Sequence, residues 1–118
     1  MTVHVPPLML YRATNFWSRM RGLHAYPALS GHRGLWLFPC NAIQTFGLAA
    51  EIDVVFLDIC GRILRRVDCL APNRIAFCLP AKSVVELPRG YCARYPHYLA
   101  AIHRSLRWPD PAAYSPVG

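Results

Sequence analysis

IDVVFLDICGRILRRVDCL, Ile52 to Leu70, decides the fold. Ile52 to Leu57 is β-branched and aromatic, and apropos of sides it is apolar on both, the pattern of a strand buried front and back. Asp58-Ile59-Cys60-Gly61 is a turn signal with Gly at its last position. Arg62 to Leu70 alternates imperfectly and reads as the partner strand of a hairpin, with Arg65, Asp68 and Arg66 turned to solvent. A single acid, Asp53, interrupts the apolar strand.

Outward from this hairpin the chain keeps the same grain. Leu8 to Tyr11, Leu35 to Phe38, Ile75 to Leu79 and Ser83 to Leu87 read as further short strands, and Pro39 ends the second of these. Gly31 and Gly34 bracket a loop, and Pro72-Asn73-Arg74 forms a turn. Between the first two strands lies ATNFWSRMRGLHAYPAL. Thr14 or Asn15 can cap a helix there, Phe16, Trp17, Met20 and Leu23 recur at helical spacing, and Gly22 ends the turn. From Tyr95 the period changes again. Tyr95, Leu99, Ile102 and Leu106 share one helical face, with Pro96 in the first turn. The tail PDPAAYSPVG has three prolines and no pattern. The expectation is one mainly β (α+β) domain over residues 1–108, followed by a loose tail over 109–118. Its architecture would be a compact antiparallel barrel or sandwich with a short N-terminal helix and a C-terminal helix.

Composition narrows the function classes. The chain has 118 residues, 54% of them apolar and 16% charged, which suits one packed domain and no disordered body. No apolar run approaches the roughly 18 residues of a membrane span. The start MTVHVPPLMLYRA has two prolines and no basic n-region, so it is not a secretory signal, and the cytoplasm is the expected compartment. Net charge is +7, with Arg supplying all the basic residues except Lys82. The arginines are scattered and Arg62, Arg65 and Arg66 are their densest cluster, so nucleic acid is not the expected partner. Cysteines stand at 40, 60, 69, 78 and 92, none within a CxxC pair, so no metal site and no cofactor is expected and reduced thiols are.

Four motifs occur in a telling order: RMRGL at Arg19–Leu23, GLWLFP at Gly34–Pro39, CNAIQTFGLAAEIDVVFLDICGRI from Cys40, and AKSVVELPRG at Ala81–Gly90. With them the chain resembles an uncharacterised bacterial and archaeal family, domain of unknown function 192, from about Ala13 to Gly90. The resemblance implies a small β-rich domain, a barrel or sandwich with a short helix near its start, and no established activity. The family's central pattern reads IHTF-x-M-R-F-P-IDVVF. Here Gln44 stands for the His, Leu48 for the Met, Ala49 for the Arg and Glu51 for the Pro, while Thr45, Phe46 and Ile52 to Phe56 are kept. The resemblance thus implies a kept scaffold whose polar and basic site members have been replaced.

The candidate site gathers Arg19, Arg21, Cys40, Gln44, Thr45 and Asp53. Asp53 sits among apolar neighbours, so its carboxylate needs hydrogen bonds or a cation. Arg19 or Arg21 can grip it through two parallel N–H bonds, which would brace helix to sheet. Gln44 and Thr45 precede Phe46-Gly47 in a loop that either ties down backbone or faces a ligand. Without a His at 44 general-base chemistry is not expected there, because an amide takes up no proton near neutral pH. Cys40 follows Pro39, and His24 and His32 are its nearest candidate bases, but a buried structural thiol is the simpler reading. Glu86, in VVELP, is expected to face solvent, pair with Arg89 or join the Asp53 cluster. His97 and His103, six apart, are not a same-face ligand pair and are read as surface or interface residues. The expected function is a non-catalytic domain that binds a small anionic ligand or a protein partner between the RMRGL helix and the Cys40–Gly47 loop, floored by Asp53. The alternative is a small enzyme that uses Cys40 or Asp53.

Overall fold

The computed structural model describes residues 3–13 and 29–107. Seven strands occur among them: β1 Met9–Ala13, β2 Arg33–Leu37, β3 Ala42–Gln44, β4 Ile52–Leu57, β5 Ile63–Leu70, β6 Ile75–Phe77 and β7 Ser83–Pro88. Two helices follow, α1 Tyr91–Arg94 and α2 Tyr98–Leu106. The strands form a five-stranded sheet in the order β1-β2-β7-β4-β5 and a two-stranded sheet of β3 and β6. The chain is therefore mainly β, and of the barrel and the sandwich it is the sandwich-like arrangement that forms.

Every residue of β4 is buried, which is why that strand lacks the alternation of a half-exposed one. Ile52, Val54 and Phe56 join Leu35, Leu37 and Val84 in a core that Ile43 of β3 and Ala76 of β6 cover. Val55 and Leu57 turn the other way, to Val85 and Leu87, under Tyr98, Ala101 and Ile102 of α2. Three layers result: helices, large sheet, small sheet. Fully burying a side chain such as Phe56 contributes about 2 kcal/mol. The β4–β5 turn forms as its sequence dictates. Asp58 Oδ1 accepts the backbone N–H of Cys60 at 2.8 Å and of Arg62 at 2.9 Å, and Gly61 takes φ 82°.

Several details depart from the sequence reading. The large sheet is not wholly antiparallel: β1 and β2 pair in parallel, Tyr11 beside Leu35. Ala42–Gln44 is a strand, not part of a loop. Three residues are too few for a visible period, and their pairing with β6 supplies the structure. Gly34 lies inside β2 rather than closing a loop. A Cβ there would stand 2.8 Å from the Glu86 carbonyl oxygen, so the strand needs glycine for close approach. The C-terminal helix is broken in two around Pro96, which lies between α1 and α2 instead of in a first turn. The buried face of α2 carries Tyr98, Ala101 and Ile102, with Tyr95, Leu99 and Leu106 packed at its margin. His103 is no free surface residue: its Nε2 donates to the Gly61 carbonyl at 2.7 Å. The N-terminal helix expected after Ala13 and the tail at 109–118 lie outside the described residues. No helix among those described is long and apolar enough to cross a membrane.

Candidate functional site

Asp53 is fully buried, and its needs are met by backbone. Oδ1 accepts the N–H of Cys69 at 2.9 Å and of Gly90 at 2.9 Å, and Oδ2 accepts the N–H of Cys92 at 2.9 Å. The donors belong to the end of β5, where Cys69 has φ 51°, and to the entry of α1, where Gly90 has φ 75°. Both segments turn their N–H groups inward, and one carboxylate satisfies all three. Asp53 therefore ties β4, β5 and α1 together. Of the hydrogen bonds or cation that the sequence predicts for this carboxylate, the hydrogen bonds come from backbone donors, which leave no mark in composition. Arg19 and Arg21 lie outside the described residues.

The neighbourhood of Asp53 holds further polar groups. Carboxylate oxygens of Asp53 and Asp68 and the Cys92 sulphur lie within 4.8 Å of one another. Their chemistry fits a hydrogen-bonded junction better than a cation site. Asp53 is engaged as described, and both Asp68 oxygens are taken by Arg66, at 2.6 and 2.7 Å. That pair holds the Asp68 carboxyl below its usual range. Burial, and then the Asp53 charge, pushes the Cys92 thiol up to about 12, so it stays protonated, whereas a metal ligand is a thiolate. The Arg66 guanidinium lies 5.3 Å from the centre of the Tyr98 ring and adds positive charge beside the trio.

On the opposite face of the large sheet stand Cys40, Gln44 and Thr45. Thr45 is fully buried. Its Oγ1 donates to the Ala71 carbonyl at 2.7 Å and accepts the Arg74 N–H at 2.8 Å, which locks the β5–β6 connection to the end of β3. Thr45→Val, of the same shape, is expected to cost about 1 kcal/mol, because it takes the partner from a part-buried N–H and a part-buried carbonyl. Urea unfolding checks this, and a loss under about 0.5 kcal/mol would deny Thr45 that role. Gln44 is half-buried on the outward side of β3, opposite Ile75 of β6, and its Oε1 accepts the Phe46 N–H at 2.6 Å. The Cys40 thiol donates to the Ala42 carbonyl at 3.1 Å. Asp53, opposite Leu87 on the helix-covered face, lies across the large sheet from these three residues.

Cys40 does line a cleft, with Pro39, Asn41, Ala81 and Lys82. Its volume is about 270 Å³ and it is open to solvent. Two turns shape it, held by a bond from Cys40 N–H to the Lys82 carbonyl at 3.0 Å and from Lys82 N–H to the Leu57 carbonyl at 2.8 Å. Lys82 is the chain's single lysine, and its meeting with Cys40 across the fold is invisible in linear order. Glu86 also departs from expectation. It does not face solvent or pair with Arg89, which reaches Glu51 at 3.5 Å instead. Glu86 is buried on the same sheet face as Leu35 and Val54, its register partners, and its Oε2 has no hydrogen-bond partner among the described residues. Burial pushes its carboxyl up to about 7.

Comparison with known proteins agrees with this architecture. Residues 4–96 match the family described as "Uncharacterized ACR", domain of unknown function 192. A search of curated proteins finds no match. A protein of unknown function from Novosphingobium aromaticivorans DSM 12444 has a similar structure, with a TM-score of 0.61 and 18% identity. That likeness covers 74% of this chain and 66% of the other, so the chain spans just under two thirds of that protein. A protein from Sinorhizobium meliloti 1021 described as a "putative transcription regulator" is similar with a TM-score of 0.66 and 19% identity, over 74% of this chain and 73% of that one. At such identities the likeness is one of fold alone.

Proposed function

The chain belongs to this uncharacterised family, and we propose that it works as a non-catalytic binding domain that takes a small anionic group in the cleft beside Cys40. The observation that carries this reading is the cleft itself, lined by Lys82, Cys40 and Asn41 on two turns pinned to the sheet. Rigid strands that position short polar turns are where binding sites form. A net charge of +7 favours an anion. In this reading Lys82 supplies the charge and Asn41 and Cys40 set the shape. Arg19 and Arg21 add positive charge to the same anion, Gln44 contributes from the outward side of β3, and Thr45 and Asp53 act as braces. The full burial and threefold hydrogen bonding of Asp53 weigh against its use as a reagent. A cytoplasmic home is part of the proposal, and the five free cysteines support it.

Inorganic phosphate is the probe for the test, titrated into isotopically labelled protein. Backbone signals of Cys40, Asn41 and Lys82 are expected to shift together. Lys82→Ala should weaken binding by about tenfold, the worth of one charge-assisted hydrogen bond. Arg19→Gln and Arg21→Gln should weaken it by smaller amounts. Phosphate shifts that ignore the Lys82 substitution, or that fall elsewhere on the surface, would remove the cleft from the account.

A further inference from the structure

The two-stranded sheet has a face that the cleft does not use. Ile43 and Ala76 point to the core, so the residues on either side of Ala76 point out. Ile75 and Phe77 are 65% and 54% exposed, and Leu79, in the turn just after the strand, is 71% exposed. Three large apolar side chains this exposed within five residues are unusual. The row is bordered by positive charge. Arg65 donates from its guanidinium to the Phe77 carbonyl at 2.7 Å, and Arg74 immediately precedes Ile75.

Among the described residues, acidic groups do not balance this border. Asp53 and Glu86 are buried. Asp68 is held by Arg66, Glu51 meets Arg89 at 3.5 Å and Asp58 meets Arg62 at 3.9 Å. An apolar centre with an arginine rim is the make-up of a protein-binding surface. A second copy of this chain would bring the same positive rim to meet it, and like charges oppose such a contact.

We propose that the Ile75–Phe77–Leu79 face of the small sheet docks a segment of another protein in which acidic residues are interspersed with large apolar ones. The apolar side chains cover Phe77 and Leu79, and the carboxylates meet Arg65 and Arg74. The proposal stands apart from the anion cleft, since it uses none of the cleft's lining residues.

Fluorescence anisotropy with a labelled short peptide that alternates glutamate with leucine and phenylalanine tests it. Unmodified protein is expected to bind this peptide and to ignore the same peptide with lysine for glutamate. Phe77→Ser combined with Leu79→Ser should weaken binding by about tenfold or more, as loss of an interface anchor does. Each single substitution should act in the same direction, and thermal unfolding will confirm that these exposed changes leave the fold intact. Arg65→Gln should weaken binding and flatten its dependence on salt. Equal affinity for the double variant would overturn the proposal. So would a wild-type dimer in sedimentation that the same substitutions disperse, which would make a second copy the occupant. Binding of a single-stranded oligonucleotide that competes with the peptide and survives loss of Phe77 and Leu79 would overturn it as well.

Discussion

Asp53→Ala is expected to lower the unfolding free energy by about 4 kcal/mol. Three backbone N–H groups converge on this carboxylate, from Cys69, Gly90 and Cys92. Leaving a buried donor unpaired costs about 1–3 kcal/mol. Water can reach the Cys69 end, because that residue is exposed, so the total falls short of three full penalties. The side chain itself also fills space under α1. Asp53→Asn separates these effects. If the amide carbonyl takes the place of Oδ1 it keeps the bonds from Cys69 and Gly90, but its NH₂ then faces the Cys92 N–H, donor against donor. A loss of about 2 kcal/mol is expected for Asn, and the order should be Asp, then Asn, then Ala. Urea unfolding followed by circular dichroism gives all three values. An alanine variant within about 0.5 kcal/mol of the parent would mean that the junction of β4, β5 and α1 is held by something else.

The same residue shows how far sequence reasoning reaches. That Asp53 is a buried brace is legible from its neighbours, because four apolar flanking residues leave an acid no route to solvent. Which groups satisfy it is not legible. Its donors are main-chain N–H groups that every sequence contains, and only the left-handed turns at Cys69 and Gly90 aim them inward. The hairpin at Ile52 to Leu70 could be read because strand, turn and strand are all local. β3 could not, since three residues give no periodicity and its partner β6 is some thirty positions on. Lys82 escapes for the same reason: the Cys40 turn and the Ala81 turn become neighbours only after β7 docks beside β2. For Glu86 the sequence offers solvent, Arg89 or the Asp53 cluster, because a charged residue seeks water or a partner and Arg89 is near in the chain. Register overrides all three. Opposite Leu35 on one side and Val54 on the other, position 86 must face the core whatever residue it holds.

Glu86 should make stability depend on pH in a direction opposite to that of a paired carboxylate. Burial raises its carboxyl from 4.5 to about 7 in the folded chain. Below pH 4.5 the group is protonated whether the chain is folded or not, and the folded state bears no charge in its core. Between pH 4.5 and about 7 the unfolded chain has released the proton and the folded chain still holds it, so stability falls as pH rises. Above about 7 the loss is complete. A raised pKa of this size corresponds to about 3 kcal/mol. Glu86→Gln keeps the shape of the protonated acid and cannot ionise. The variant should therefore match the parent near pH 4 and exceed it in stability by about 3 kcal/mol at pH 8. Taking the difference between the two proteins at each pH cancels every other titrating group, and chemical unfolding across that range measures it. The residues that flank Glu86 on its sheet face, Leu35 and Val54, offer no charge to offset the ionised form. A difference that stays flat from pH 4 to 8 would mean that a cation reaches the carboxylate and holds it ionised throughout, and burial alone would no longer describe this position.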